Sequence, residues 1–260
     1  MRDSGRGPVK KRLEALGFQV DDVAENPKQK RPDLCASKDG TTMFVEVKTR
    51  TEDAELRARM ESVGVGTTES IRVSLDKHNS LSSHVEKANT QLGAASSADD
   101  LRLLWFRADN GLFVQDAREQ IGTTLLGIRM VSAKRKGATR VRPCVYAGYA
   151  DFSRYRAIDG AMIEVDGALT LIPNQFSPRQ DAFACSPIYR TIAPAILDVR
   201  QGDRHDILYV IESDIDRKDD DALLAFLLDK YPADEFLGFV PYCAGTTVTT
   251  IDARRGNWDI

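Results

Sequence analysis

The sequence predicts an α/β protein, with a mixed sheet flanked by helices in the N-terminal half and an α+β region after it. Segments with helical spacing of apolar residues alternate with segments in which apolar and polar residues alternate one by one. Of the 260 residues, 42% are hydrophobic and 29% are charged, as in ordinary globular domains. A folded chain with a substantial core is therefore expected.

The first predicted elements are a helix, a strand and a hairpin, over residues 8–16, 18–23, 33–37 and 43–49. Pro8 at the first helical position and Gly17 after the last one bound the helix. Asp39 and Gly40 separate two alternating segments, which is a hairpin signal. In the second of these segments Glu46 and Lys48 must point to the same face, because side chains on a strand repeat every two residues.

The later elements follow the same patterns. Residues 50–80 are rich in charge and are expected to be partly helical, and Ser83 to Glu86 form a capping box that opens a helix. The remaining predictions are a strand over 101–106, a helix over 114–131, strands over 145–152, 161–172, 207–211, 236–240 and 246–251, and a helix over 221–228.

One motif carries chemical information. Pro32-Asp33 is followed, after twelve residues, by Glu46-Val47-Lys48, within the segment RPDLCASKDGTTMFVEVKTR. Residues 8–107 resemble the PD-(D/E)xK nuclease superfamily in this motif and in the order of the elements around it. The resemblance implies a restriction-endonuclease-like fold in the N-terminal half and a nuclease that acts mostly on DNA, in defence, repair or recombination. Asp33, Glu46 and Lys48 would be its catalytic residues.

The chemistry of phosphodiester hydrolysis agrees with this resemblance. A hard divalent cation, Mg²⁺ or Mn²⁺, prefers carboxylate and carbonyl oxygens. By the resemblance, Asp33, Glu46 and the main-chain carbonyl of Val47 would hold it, and Lys48 would orient the attacking water or stabilise the transition-state phosphate. The alternative is a surface hairpin that carries a solvated Glu–Lys pair.

Three further residues are candidates for supporting the site. The family often places an acidic residue on the first helix, which here is Glu14, although an exposed ion pair with Lys10 explains that residue equally well. Gln91 and Lys87 share one flank of the second helix, where a solvated face is the competing explanation. The three histidines lack metal-like spacing and are assigned no role.

Two basic places are candidates for gripping a nucleic-acid backbone: Thr49 and Arg50, and the run Lys134, Arg135, Lys136, Arg140 and Arg142. Residues 133–144 are expected to be a linker or loop between a nuclease core, 1–132, and a C-terminal region, 145–260. These regions could pack separately or as one domain. The aromatic residues after the basic run are expected in strand cores rather than as base-stacking platforms: Tyr146, Tyr149, Phe152 and Tyr155.

Charge is distributed unevenly, and this distribution suggests the partners. The whole chain has a net charge of -3, but residues 1–50 sum to +3 and residues 201–260 to -7. The N-terminal part is therefore expected to meet nucleic acid, and the acidic C-terminal region another protein or a second subunit of a homodimer. A catalytically silent or partner-activated nucleic-acid-binding component of a larger assembly is the alternative function.

The apolar pattern and the cysteines bear on the cellular location and on a zinc site. No apolar run approaches the roughly 20 residues of a membrane span, so no membrane association is expected, and the charged N-terminus favours a cytoplasmic protein. The four cysteines form no CxxC pair, which argues against a clustered zinc site.

Overall fold

The structure, a computed structural model, describes residues 5–24, 30–50, 58, 62–63, 68–77, 79–108, 114–204 and 207–249. Over these residues the chain is α/β, with two mixed sheets and a separate antiparallel pair of strands, flanked by helices. This confirms the predicted α/β class. No helix in these ranges combines the length and the apolar character needed to cross a bilayer.

The helices are α1 Arg6–Ala15, α2 Asn79–Ala95, α3 Val114–Leu126, α4 Asp151–Arg154, α5 Gln180–Ala184, α6 Pro187–Thr191, α7 Val199–Arg204 and α8 Asp220–Lys230, with 3₁₀ turns at Ala147–Tyr149 and Ala193–Ala195. The strands are β1 Gln19–Asp22, β2 Leu34–Lys38, β3 Thr41–Arg50, β4 Thr68–Ser74, β5 Leu101–Ala108, β6 Ile128–Arg135, β7 Ala138–Tyr146, β8 Gly160–Val165, β9 Ala168–Pro173, β10 Tyr209–Ile211, β11 Glu235–Val240 and β12 Cys243–Thr249.

The six-stranded sheet has the order β1-β2-β3-β5-β8-β9. Its two ends are antiparallel pairs, whereas β3, β5 and β8 run parallel. Helix α1 covers one face, where Val9 and Leu13 pack with Val45 and Val47. Helices α2 and α3 cover the other face, to which Phe44 points. Both faces are buried, as parallel strands require.

The β2–β3 turn fixes the register of this hairpin. Asp39 and Gly40 both have positive φ, 51° and 75°, as in a two-residue turn that suits the twist of the strands. With Lys38 opposite Thr41, Leu34 pairs with Val45, and Asp33 lies immediately before this first paired residue of β2. A slip of one residue would move every side chain of one strand to the other face. The predicted Asp-Gly hairpin is therefore confirmed.

The four-stranded sheet has the order β10-β7-β6-β11, and α8 packs on it through Leu223 and Leu227. Residues 133–144, expected to be a linker or loop, lie mostly within β6 and β7. The reason is that Lys136 and Gly137, with φ of 51° and 77°, form another tight hairpin turn, while Lys134, Arg135 and Arg140 occupy exposed positions on the strands.

Several predicted boundaries were wrong. Helix α2 begins at Asn79 rather than near Ser83, and residues 128–131, expected in a helix, belong to β6. Residues 68–74 form strand β4, although that region was expected to be partly helical. After Tyr146 the predicted strand 145–152 gives way to a 3₁₀ turn and α4. Strands β8 and β9 extend the N-terminal sheet, so that sheet is not confined to residues 1–132.

Candidate active site

The side chains of Asp33 and Glu46 lie close together at the end of the six-stranded sheet where β2 begins. The main-chain N–H of Asp33 donates to the carbonyl of Val45, at 3.1 Å, which ties Asp33 to β3 just before the regular pairing of Leu34 with Val45 begins. Glu46 points to the face covered by α2, because it alternates in step with Phe44 along β3. The Asp33 carboxylate accepts from the N–H of Val47, the residue after Glu46, and is close enough to Glu46 to raise the pKa of that side chain.

Asp33 is held from two sides. The N–H of Val47 donates to its Oδ2 at 2.9 Å, and Arg6 at the start of α1 donates to its main-chain carbonyl, Nη2 lying 2.6 Å away. Arg6 also forms an ion pair with Asp22, at 3.3 Å, which ties α1 to β1 and to this segment. The second oxygen, Oδ1, lies 3.9 Å from Arg6 Nε, and because the side chain is 23% exposed it can still accept a ligand from solvent.

Glu46 is the most unusual group of the site. Its side chain is 2% exposed, and Oε2 is buried without a hydrogen-bond partner among the described residues. Burial raises the pKa of Glu46 to about 7, and the Asp33 carboxylate adds to the rise, while Lys48 opposes it. A buried carboxylate oxygen with no donor is costly unless something else neutralises it.

Lys48 points to the same face as Glu46, as the strand alternation predicts. Its Nζ donates to Glu46 Oε1, and its side chain is 19% exposed. The ammonium can thus reach a ligand at the mouth of the site while it remains paired with Glu46. A compact charge with three donors suits contact with a phosphate oxygen or a water.

The residues present fit a single hard cation. Asp33 and Glu46 supply two carboxylates, and one of the four oxygens, Glu46 Oε2, is buried and unpartnered. The N–H of Val47 faces Asp33, and since a residue's N–H and C=O lie at the same edge of a strand, its carbonyl faces that edge too. No cluster of three or more His, Cys, Asp or Glu side chains occurs among the described residues, so a zinc-like cage is absent there. Mg²⁺ typically takes only one or two carboxylates and keeps several waters.

Helix α2 covers the site from above. Gln91 donates to the carbonyl of Arg31 at 3.2 Å, which holds the segment that leads into Asp33. Burial lowers the pKa of His84, and Lys48 and Lys87 lower it further, so His84 lies beside Lys48. Lys87 itself is exposed. The structure thus brings the flank of α2 to the site, including His84, to which the sequence assigned no role.

Glu14 is not brought to the site. It is exposed on α1, which covers the opposite face of the sheet from Glu46 and Lys48. The Lys10 ammonium beside it pairs with Asp22 at 2.8 Å and is only secondarily affected by Glu14. An exposed acid on the outer helix surface is the simpler description of Glu14.

The predicted phosphate-gripping residues are separated. Thr49 is half-buried, and alternation places it on the opposite face of β3 from Lys48. The side chain of Arg50 lies outside the part of the chain that the structure describes. The basic run, Lys134, Arg135, Lys136, Arg140 and Arg142, lies on the β6–β7 hairpin of the four-stranded sheet rather than on the sheet that carries Asp33.

Comparison with protein-family models, with curated proteins and with solved structures finds no match for this chain.

The pKa of Glu46 makes the stability of the metal-free protein depend on pH. An acid whose pKa is higher in the folded protein than its ordinary value of 4.5 contributes stability that is complete below 4.5 and is lost as pH rises toward about 7. The loss is on the order of 3 kcal/mol. In Glu46→Gln this loss should be absent, so its stability should fall less between about pH 5 and about pH 8.

Urea unfolding at both pH values in the presence of a chelator measures this difference. Glu14→Gln, the same substitution at an exposed position, is the matched control and should keep the wild-type pH dependence. An identical pH dependence in Glu46→Gln and wild type would show that Glu46 ionises normally in the folded protein.

Proposed function

We propose that this protein is a divalent-metal-dependent nuclease with a restriction-endonuclease-like core, which hydrolyses phosphodiester bonds in DNA. The observation that carries the proposal is the proximity of the Asp33 carboxylate to Glu46 and of Glu46 to Lys48, with Glu46 Oε2 buried and unpartnered among the described residues. A solvated Glu–Lys pair on a surface hairpin would leave the glutamate exposed, whereas Glu46 is 2% exposed.

Each residue has a defined task in this proposal. Asp33 and Glu46, with the Val47 carbonyl, would hold Mg²⁺ or Mn²⁺, which would supply charge neutralisation at the phosphate and activation of a water. Arg6 and the Val47 N–H keep the Asp33 segment in place. Lys48 positions the water or stabilises the added negative charge as the phosphate is attacked. Gln91 on α2 holds the segment around Arg31 in place through its hydrogen bond to the Arg31 carbonyl.

DNA is the proposed substrate because the motif resembles a superfamily that acts mostly on DNA. The site is also compatible with a phosphodiester in general, since the proposed metal and Lys48 would contact only phosphate oxygens and water. Because phosphate contacts position a nucleic acid without reading its bases, sequence preference would have to come from residues elsewhere in the chain.

A second function is favoured by one specific observation. The Lys48 ammonium pairs directly with Glu46 Oε1, which partly satisfies that carboxylate without any metal. A catalytically silent or partner-activated nucleic-acid-binding component would retain such a pair as a structural contact. That alternative predicts binding of nucleic acid without cleavage by the isolated protein.

The test is a cleavage assay with the purified protein, Mg²⁺ or Mn²⁺, and a panel of linear, circular, branched and single-stranded DNA and RNA. We expect DNA cleavage that stops when a chelator is added and resumes when the metal is restored. Binding of DNA without cleavage, with either metal, would favour the silent or partner-activated alternative. Absence of both binding and cleavage across the panel would contradict both functions.

A further inference from the structure

A second place in the molecule combines cations and aromatic rings. A cleft of about 510 Å³ opens between the four-stranded sheet and the segment before α2. Its lining residues are Asp76, Lys77, Ile128, Arg129, Tyr149, Arg217, Lys218, Phe239, Val240 and Pro241. The volume lies within the range of small-molecule sites, which is roughly 300–1,000 Å³.

Two guanidinium groups of the cleft stack on aromatic rings. Arg129 lies over the ring of Phe239, 3.7 Å from its centroid, and Arg217 lies over the ring of Tyr149 at 4.4 Å. The N–H groups of Arg129 already donate to Asp220 and to the Arg217 carbonyl, whereas stacking leaves the in-plane N–H groups of Arg217 able to meet an anion. The rings and the guanidinium planes also offer flat surfaces on which a base can stack.

The charge of the cleft is positive on balance. Four of its lining side chains are cationic and one, Asp76, is acidic. Lys77 is paired with the buried Asp151, and Arg129 with Asp220 at 2.8 Å. The side chains of Arg217 and Lys218 form no ion pair among the described residues, although the nearby Asp216 carboxylate accepts from the main-chain N–H of Lys218 at 3.0 Å.

The ammonium of Lys77 is a cation that its contacts hold in one position. Its side chain is 6% exposed, its Nζ donates to the Tyr149 carbonyl at 2.8 Å, and the ammonium lies over the Tyr149 ring at 4.7 Å. The cleft therefore has one rigid cation at its base and two unpaired cations at its rim. Such an arrangement is complementary to a phosphate attached to a flat, aromatic group.

We propose that this cleft binds a nucleoside phosphate, with the phosphate between Arg217 and Lys218 and the base against Tyr149 and Phe239. Two sources offer this chemistry, a free nucleotide and the phosphorylated end of a DNA strand. The site differs from the metal site in position and in residues, so it does not depend on the proposed nuclease activity. It also assigns a ligand to a C-terminal region that its overall acidity would exclude from anion binding.

The test is a direct binding measurement by calorimetry, in a chelator so that no cleavage occurs. The probes are nucleoside mono- and triphosphates, unphosphorylated nucleosides, inorganic phosphate, and a single-stranded oligonucleotide with a 5′-phosphate or a 5′-hydroxyl. We expect nucleotides to bind more tightly than either nucleosides or inorganic phosphate. Arg217→Ala/Lys218→Ala should weaken nucleotide binding by roughly 10- to 100-fold, since each lost group donates a charge-assisted hydrogen bond.

The matched control is Arg156→Ala/Arg190→Ala, which removes two exposed positive charges outside the cleft. It should bind nucleotides like the wild type. Phe239→Leu keeps an apolar side chain but removes the flat ring, which contacts Arg129 rather than Arg217 or Lys218, so it should weaken binding of nucleotides while leaving binding of inorganic phosphate unchanged.

The outcomes separate the two sources and can overturn the proposal. Tighter binding of the 5′-phosphorylated oligonucleotide than of its 5′-hydroxyl form and of free nucleotide assigns the cleft to strand ends, whereas the reverse order assigns it to free nucleotides. Failure of every phosphorylated probe to bind the wild type overturns the proposal. Equal weakening in the cleft variant and the control variant also overturns it, because the effect would then reflect overall charge.

Discussion

Asp33→Asn is expected to eliminate metal binding and to reduce DNA cleavage by at least about 10³-fold. Asparagine keeps the size of the side chain and an oxygen that can accept from the Val47 N–H, which lies 2.9 Å from Asp33 Oδ2. The substitution therefore removes a negative charge while the hairpin register is retained. With only Glu46 left as an anionic ligand, a hard cation would bind too weakly to be held at millimolar concentration.

Binding is measured by the rise in melting temperature with added Mg²⁺ or Mn²⁺, because a ligand of the folded state alone stabilises it. Asp39→Asn is the matched control. Asp39 is exposed in the β2–β3 turn with φ of 51°, a conformation that asparagine tolerates well. Asp39→Asn should retain metal binding and cleavage. Unchanged cleavage in Asp33→Asn would remove Asp33 from the proposed metal site.

The part of the site that depends on local pattern could be predicted from the sequence. The Asp-Gly turn sets the hairpin register, and alternation along β3 then places Glu46 and Lys48 on one face. Elements α1, β1, β2 and β3 lie within two residues of their predicted bounds, because these bounds also follow from local sequence patterns. The relative placement of side chains on one hairpin thus follows from their order along the chain.

Contacts between distant segments could not be predicted. Arg6 holds Asp33 across 27 positions of sequence, and Gln91 reaches Arg31 across 60. Neither pairing leaves a local pattern, because it depends on which helix covers which face of the sheet. Glu14 is a further example. Its position on the first helix suited a role at the site, but α1 covers the opposite face of the sheet.

The basic run shows how composition can obscure a strand. Residues 133–144 carry so many Lys and Arg residues that they suggest a solvated loop, yet β6 and β7 bury Val131, Ala133 and Cys144 on one face of the four-stranded sheet. An edge or half-exposed hairpin needs only alternate residues to be apolar. The Lys136-Gly137 turn was the signal that would have identified it.

Lys48→Ala is expected to lower the single-turnover rate of cleavage on the order of 10²- to 10³-fold, with a much smaller effect on DNA affinity. If Lys48 acts on the attacking water or on the charge that develops at phosphorus, its contribution appears mainly in the transition state. Lys48→Arg should not restore the full rate, because a planar fork cannot reproduce a compact charge already paired with Glu46 Oε1.

The variant should also change the pH dependence of cleavage, which a role in DNA binding alone would not do. Lys48 opposes the rise in the pKa of Glu46 in the metal-free protein, so its removal should raise that pKa further. Because a proton competes with the metal for this carboxylate, the rise in cleavage rate with pH should then occur at higher pH when the metal is subsaturating. Lys11→Ala, at an exposed lysine on α1, is the control and should preserve both rate and profile.

If Lys48 merely contacts backbone phosphate, Lys48→Ala should instead bind DNA more weakly, with a shallower salt dependence, and cleave at a near-normal rate at saturation. Single-turnover rates at saturating DNA across a range of pH decide between these roles, and equal rates with unchanged profiles would exclude Lys48 from catalysis.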